Sequence, residues 1–108
     1  MLPKKNLPAY RRMARQGGEL WKKHGALEYR ECVAEDLRAP MSLPFPRLLK
    51  LKRGETVVFS WIVFKSRAHR DRVNARVMRE AQASWDGSPA PFDMKRMAYG
   101  GFTTIVDM

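Results

Sequence analysis

The nine residues from Thr56 to Phe64, TVVFSWIVF, constrain this chain more than any other stretch. β-branched and aromatic residues dominate them, and only Thr56 and Ser60 interrupt an apolar character that runs along both faces. That is the pattern of a strand buried on both sides. At 108 residues the chain is the size of one domain, read here as residues 1–108, and its helices suffice to cover one face of a small sheet. The other face must meet something else. A second copy of the same sheet is the expectation, and with it a homodimer.

Upstream of that strand, Lys4 to His24 reads as an amphipathic helix. Tyr10, Met13, Ala14, Gly17, Leu20, Trp21 and His24 share one face, with Arg11, Arg12, Arg15, Lys22 and Lys23 opposite. Asn6 is the expected N-cap, Pro8 falls in the first turn, and Gly25 supplies a left-handed residue to end the helix. Gly17 and Gly18 each cost about 1 kcal/mol of helix propensity, so Gly17, on the apolar face, is expected to allow close approach to the sheet. Leu27 to Glu35 alternates as a strand, with Leu27, Tyr29, Glu31 and Val33 on one face. Asp36 to Pro46 holds three prolines and reads as a loop, Arg47 to Lys52 fits no single pattern, and Arg53-Gly54 makes a turn.

Beyond the apolar strand, Ser66 is placed to cap a second helix over Arg67 to Ala81, with Val73, Val77, Met78 and Ala81 as its core stripe. Arg70 and Asn74 fall inside that stripe and need polar partners there. Trp85 to Lys95 reads as a loop, and Tyr99 to Val106, entered through Gly100-Gly101, as a final strand. The order is helix, strand, strand, helix, strand. One strand in front would complete βαββαβ, the ferredoxin-like arrangement of an α+β fold, an antiparallel sheet with two helices on one face.

The segments PKKNLPAYRRMARQGGELWKKHGALEYRECVAED, VVFSWIVFKSRAHRDRVNARVM and PFDMKRMAYGGFTTIVD closely resemble the YbaA-like family of small bacterial proteins, over nearly the whole chain. The resemblance implies a ferredoxin-like protomer in a dimeric α/β barrel. It implies no activity, because the family is a domain of unknown function and the wider superfamily puts enzymes and binding modules on one scaffold. Family members begin with a strand that is ending where Met1-Leu2-Pro3 stand, so the first strand is expected to be missing here. A start codon assigned late explains that more simply than a true loss. Without that strand the final one loses a neighbour and exposes a hydrogen-bonding edge.

Composition sets the outer limits. No apolar run approaches the roughly 20 residues of a membrane helix, the basic start leads into no apolar segment, and the single cysteine, Cys32, cannot form an intrachain disulfide. A cytoplasmic protein without a membrane partner is expected. There are 21 Lys and Arg against 11 Asp and Glu, a net charge of +10. That excess reads either as a solvated surface or as a nucleic-acid footprint, for which Arg11, Arg12, Arg15, Arg72, Arg76 and Arg79 on the outer helix faces would be the contacts. Those faces carry no interleaved aromatic residues, which single-strand binding favours.

Candidate site residues are polar or aromatic groups in apolar places. His24 ends the first helix's apolar stripe, near the negative end of the helix dipole. Glu31 is a carboxylate among Leu27, Tyr29 and Val33, and Arg70 is its expected partner. Trp61, beside Phe59, offers a flat wall. His24, Glu31, Trp61, Arg70 and Asn74 are thus expected to line a small-molecule cavity between sheet and helices, for binding or for catalysis; each also has a plain packing role. Two histidines and one cysteine at these separations match no metal-ligand spacing, and no glycine-rich phosphate loop, nucleophile elbow or dinucleotide fingerprint occurs, so neither metal nor cofactor is expected.

Overall fold

The computed structural model describes residues 1–38 and 40–108. The fold is α+β, with three α-helices and two small antiparallel sheets among the described residues, an arrangement compatible with the ferredoxin-like order. Helix α1 (Leu7–Lys23) follows a 3-10 turn at Lys4–Asn6, with Pro8 in its first turn as the sequence suggests. Asn6 precedes α1 without a side-chain cap bond, and its Nδ2 donates to Pro91 O at 2.9 Å. Gly25, at φ 113°, takes the left-handed conformation that ends the helix.

Strands β2 (Glu28–Val33) and β4 (Val58–Val63) form an antiparallel pair in which Tyr29 lies opposite Ile62, Glu31 opposite Ser60 and Val33 opposite Val58. Directly opposed residues point to the same face. Tyr29, Glu31, Val33, Val58, Ser60 and Ile62 therefore look toward α1, while Glu28, Arg30, Cys32, Phe59, Trp61 and Val63 look away. The face turned from the helices is open in the single chain, with Phe59 61% and Trp61 40% exposed.

The first strand, expected to be missing, survives as β1 (Leu2–Pro3), which pairs antiparallel with β3 (Glu55–Thr56) just ahead of β4. The fully buried Leu2 anchors it. Among the described residues, strand β4 pairs with β2 alone. Ala34 N–H donates to Val57 O, so the alternation turns the backbone groups of Phe59, Trp61 and Val63 toward β2 and leaves those of Val58, Ser60 and Ile62 on a free edge.

Two sequence expectations are corrected here. Tyr99 to Val106 is not a strand: it has no regular structure, and Tyr99, Phe102, Ile105 and Val106 are exposed. The physical reason is pairing, since in this order its neighbour is the first strand, and β1 reaches no further than Thr56. The glycine that lets α1 approach the sheet is Gly18, not Gly17. A Cβ on Gly18 would lie 2.8 Å from Tyr29 Cδ1, whereas one on Gly17 would find ordinary contacts at 3.6 Å.

Helix α3 (Arg67–Ser84) is capped by Ser66, whose Oγ accepts from His69 N–H at 3.1 Å. Val73 and Val77 are its fully buried pair, but Met78, expected in the same stripe, is 54% exposed. The stretch from Arg47 that fitted no pattern is taken by the end of a one-turn helix α2 (Phe45–Leu48) and the turn after it. No helix among the described residues is long and apolar enough to cross a membrane.

Candidate functional site

Tyr10, Ala14 and Gly18 succeed one another at four-residue spacing, so they form one ridge of α1. The ridge falls in size from a phenol to a methyl to a hydrogen. That taper lets the far end of α1 settle onto β2, with the Tyr29 ring beneath Gly18. Trp21 stacks on the same ring, centroids 6.0 Å apart and planes 28° apart, and its Nε1 donates to Asn74 Oδ1 at 3.1 Å, pinning α1 to α3.

With Tyr29 fixed, its hydroxyl donates to Glu31 Oε1 at 2.7 Å. From α1, Tyr10 Oη donates to Glu31 Oε2, also at 2.7 Å. One carboxylate thus holds two phenols, one per oxygen. Burial raises the pKa of both tyrosines above the ordinary value, and the hydrogen bond to Glu31 and its negative charge raise it further. Both phenols are kept protonated as donors. The Tyr10 ring meets Phe92 edge-on, centroids 5.7 Å apart, so the segment after α3 is strapped across the head of α1 by that contact and by the Asn6–Pro91 bond. The strap's other end is tied by Arg96, which donates to Glu55 Oε2 at 2.6 Å and Oε1 at 3.0 Å, and to Lys50 O at 3.0 Å.

The triad borders a groove of about 510 Å³ between α1 and the sheet, a volume within the range of small-molecule sites. Leu7, Ala14, Val33 and Val58 give it apolar walls, and Arg11 and Arg15 stand at its rim. A second depression, about 680 Å³, lies across the same helix–strand crossing and shares Ala14, Arg15 and Tyr29 with the first. Of the groups it does not share with the first, Arg30 lies 3.7 Å from Glu28 and Lys22 Nζ donates to Leu27 O, while Glu19 makes only an exposed contact to Arg15 at 3.6 Å. The first groove is the one with polar groups to offer.

Of the five residues singled out in the sequence, Glu31 borders this groove and the other four are placed elsewhere. His24 closes α1 against α3, with Nε2 buried, 3.7 Å from Glu80 Oε2 and short of a hydrogen bond. Glu80 also holds Lys23 Nζ at 2.6 Å. Trp61 is on the opposite face of the sheet, beside Phe59 and 3.4 Å from Glu28 Oε1. Arg70 reaches Asp71 Oδ1 at 3.4 Å, so the expected Glu31–Arg70 pair does not form. Asn74 serves Trp21. Among the described residues no three His, Cys, Asp or Glu side chains gather as metal ligands.

Tyr10 and Tyr29 are the members of the triad that the sequence reading did not single out. The signal is present, since a buried tyrosine needs an acceptor for its hydroxyl and Glu31 lies two residues from Tyr29 on the same strand face.

Residues 1–94, which hold the whole triad, the groove and the start of the strap's tie, match the family described as "Protein of unknown function (DUF1428)". The chain belongs to that family. Within it, the DUF1428 chain is similar to "Uncharacterized protein YbaA" of Escherichia coli strain K12, 40% identical over 106 residues, which is 98% of this chain and 91% of the relative. The YbaA proteins of Escherichia coli O157:H7 and of Shigella flexneri match to the same extent. The family resemblance read from the sequence is thereby shown.

Proposed function

We propose that this chain is a small-molecule-binding protein of the cytoplasm that works as a homodimer, with its binding groove between α1 and the α1-facing side of β2 and β4. The observation that carries the reading is the Glu31 carboxylate held by two phenols at 2.7 Å on the border of a walled groove of about 510 Å³. A carboxylate and two hydroxyls convergent at one end of an apolar groove are what orientation of a small ligand requires. The second copy is assigned to the helix-free face, where Phe59, Trp61 and Val63 form an exposed apolar patch rimmed by Glu28 and Arg30.

A fragment screen by NMR tests the reading. Fragments that bind are expected to shift resonances of Tyr10, Ala14, Tyr29 and Val33, and to lose that effect in Tyr10→Phe/Tyr29→Phe. Fragments that gather only at other surfaces would refute it.

A further inference from the structure

Resting on the groove reading just given, we infer that the groove selects a hydroxylated organic acid: an anion with an apolar body and a hydroxyl at the end remote from its carboxylate. Three features of the groove point to that class, and each excludes an alternative.

Half-buried on the groove's border, Glu31 has no proton donor of its own to offer. Each of its oxygens accepts one phenol, and a carboxylate has about four lone-pair positions, so roughly two remain for a ligand donor. What arrives there must give a proton to a hydrogen bond. A second carboxylate at this position would meet like charge and no free donor, because both phenol hydrogens are already directed at Glu31. A hydroxyl fits.

The rim has the opposite sign. Arg11 and Arg15 lie one turn apart on α1 and both border the groove. Arg11 has no ion pair or hydrogen bond among the described residues, and Arg15 has only the exposed contact to Glu19 at 3.6 Å, of a kind that contributes little. Two guanidiniums in a chain of net charge +10 attract an anion and can grip a carboxylate with paired N–H groups. A neutral phenol would leave them unused. The apolar lining is Leu7, Ala14, Val33 and Val58, which take a hydrocarbon or ring and repel a sugar or a polyol.

Three probes of one shape separate these contributions: 4-hydroxyphenylacetate, phenylacetate, which lacks the hydroxyl, and 4-methylphenol, which lacks the carboxylate. Each is titrated into the full chain and followed through the amide shifts of α1 and β2. 4-Hydroxyphenylacetate is expected to bind about tenfold more tightly than either of the others, the effect of one hydrogen bond to a charged group. In Glu31→Gln its advantage over phenylacetate should shrink, and in Arg11→Ala/Arg15→Ala its advantage over 4-methylphenol should vanish. Equal affinity of all three probes at the groove would overturn the ligand class and leave the groove a binding site. No groove shift from any probe at about 10 mM would overturn the groove reading, and the ligand class with it. Should Glu31→Gln fail to fold, the comparison of probes on the unaltered chain decides the matter alone.

Discussion

Adjacent glycines in α1 should respond to alanine with opposite signs. At Gly17 a new Cβ meets Trp21 Cζ3 and Tyr29 Oη at 3.6 Å, ordinary contact distances, so Gly17→Ala keeps the helix-propensity gain of up to about 1 kcal/mol. At Gly18 the Cβ would lie 2.8 and 2.9 Å from two ring carbons of Tyr29. That ring cannot swing aside freely, because Trp21 stacks on it and Glu31 holds its hydroxyl at 2.7 Å. Overpacking of this kind costs about 1–3 kcal/mol, with the upper half expected for a ring held at both ends. After the propensity gain, Gly18→Ala should destabilise by about 1–2 kcal/mol. The two variants should therefore differ by about 2–3 kcal/mol, or by roughly 8–15 °C in Tm for a domain of this size. Urea unfolding followed by circular dichroism at 222 nm measures the difference directly. Equal stability of the two variants would refute the packing of α1 on Tyr29, and with it the account of how the phenol is aimed at Glu31.

In an alkaline absorbance titration, Tyr10 and Tyr29 should ionise well above the ordinary value of 10.0, and Glu31→Gln should bring both down while leaving them above it, since burial is the larger cause. Their folded-state pKa values are raised, so their contribution to stability is complete below pH 10 and is lost as pH climbs through the folded values; denaturation midpoints measured from pH 9 to 12 should fall more steeply than those of Glu31→Gln. Glu55 behaves in the opposite sense: the Arg96 hydrogen bond, joined by that from Lys52 N–H, lowers its pKa to about 2. Its contribution is present above the ordinary 4.5 and is lost as pH falls toward 2, so Glu55→Gln should flatten acid unfolding over that interval, and an unchanged acid profile would count against the Glu55–Arg96 tie. Light scattering should give a dimer mass for the unaltered chain and a monomer mass for Phe59→Asp/Trp61→Asp; a monomer at the outset would sink the dimer assignment.

The sequence made some of these contacts legible and hid others for definable reasons. Periodicity located α1, β2 and α3, because each has a buried stripe that repeats at its own period, and Val73 and Val77 were placed in the core by that rule alone. The faces of β2 are also readable, since alternation alone sets Tyr29 and Glu31 side by side. The choice of partner was not readable. Charge suggested an arginine for Glu31, yet Arg70 turns to Asp71, while Tyr10, assigned to packing, supplies its hydroxyl. A helix wheel reports direction and not height, and the height at which α1 crosses β2 is set by Gly18, whose role differs from that of Gly17 by less than one ångström of clearance.

The segment Tyr99 to Val106 shows the complementary limit. Its Phe-Thr-Thr-Ile-Val run has strand propensity, but propensity in a sheet is the fit of side chains to a neighbour already in place. The tie from Arg96 to Glu55 brings the chain to the β3 end of the long strand, six residues before that run begins at Phe102. Position is thus supplied. What is absent is the neighbour it would join in this order, because β1 covers only Glu55 and Thr56 and, among the described residues, leaves the edge of Val58, Ser60 and Ile62 unpaired. An exposed strand-former and an open edge in one chain are each able to recruit another extended segment. The groove draws on that region only through Val58 at the start of β4: its other walls come from α1 and β2, and its polar groups are fixed by bonds to which no residue beyond Phe92 contributes.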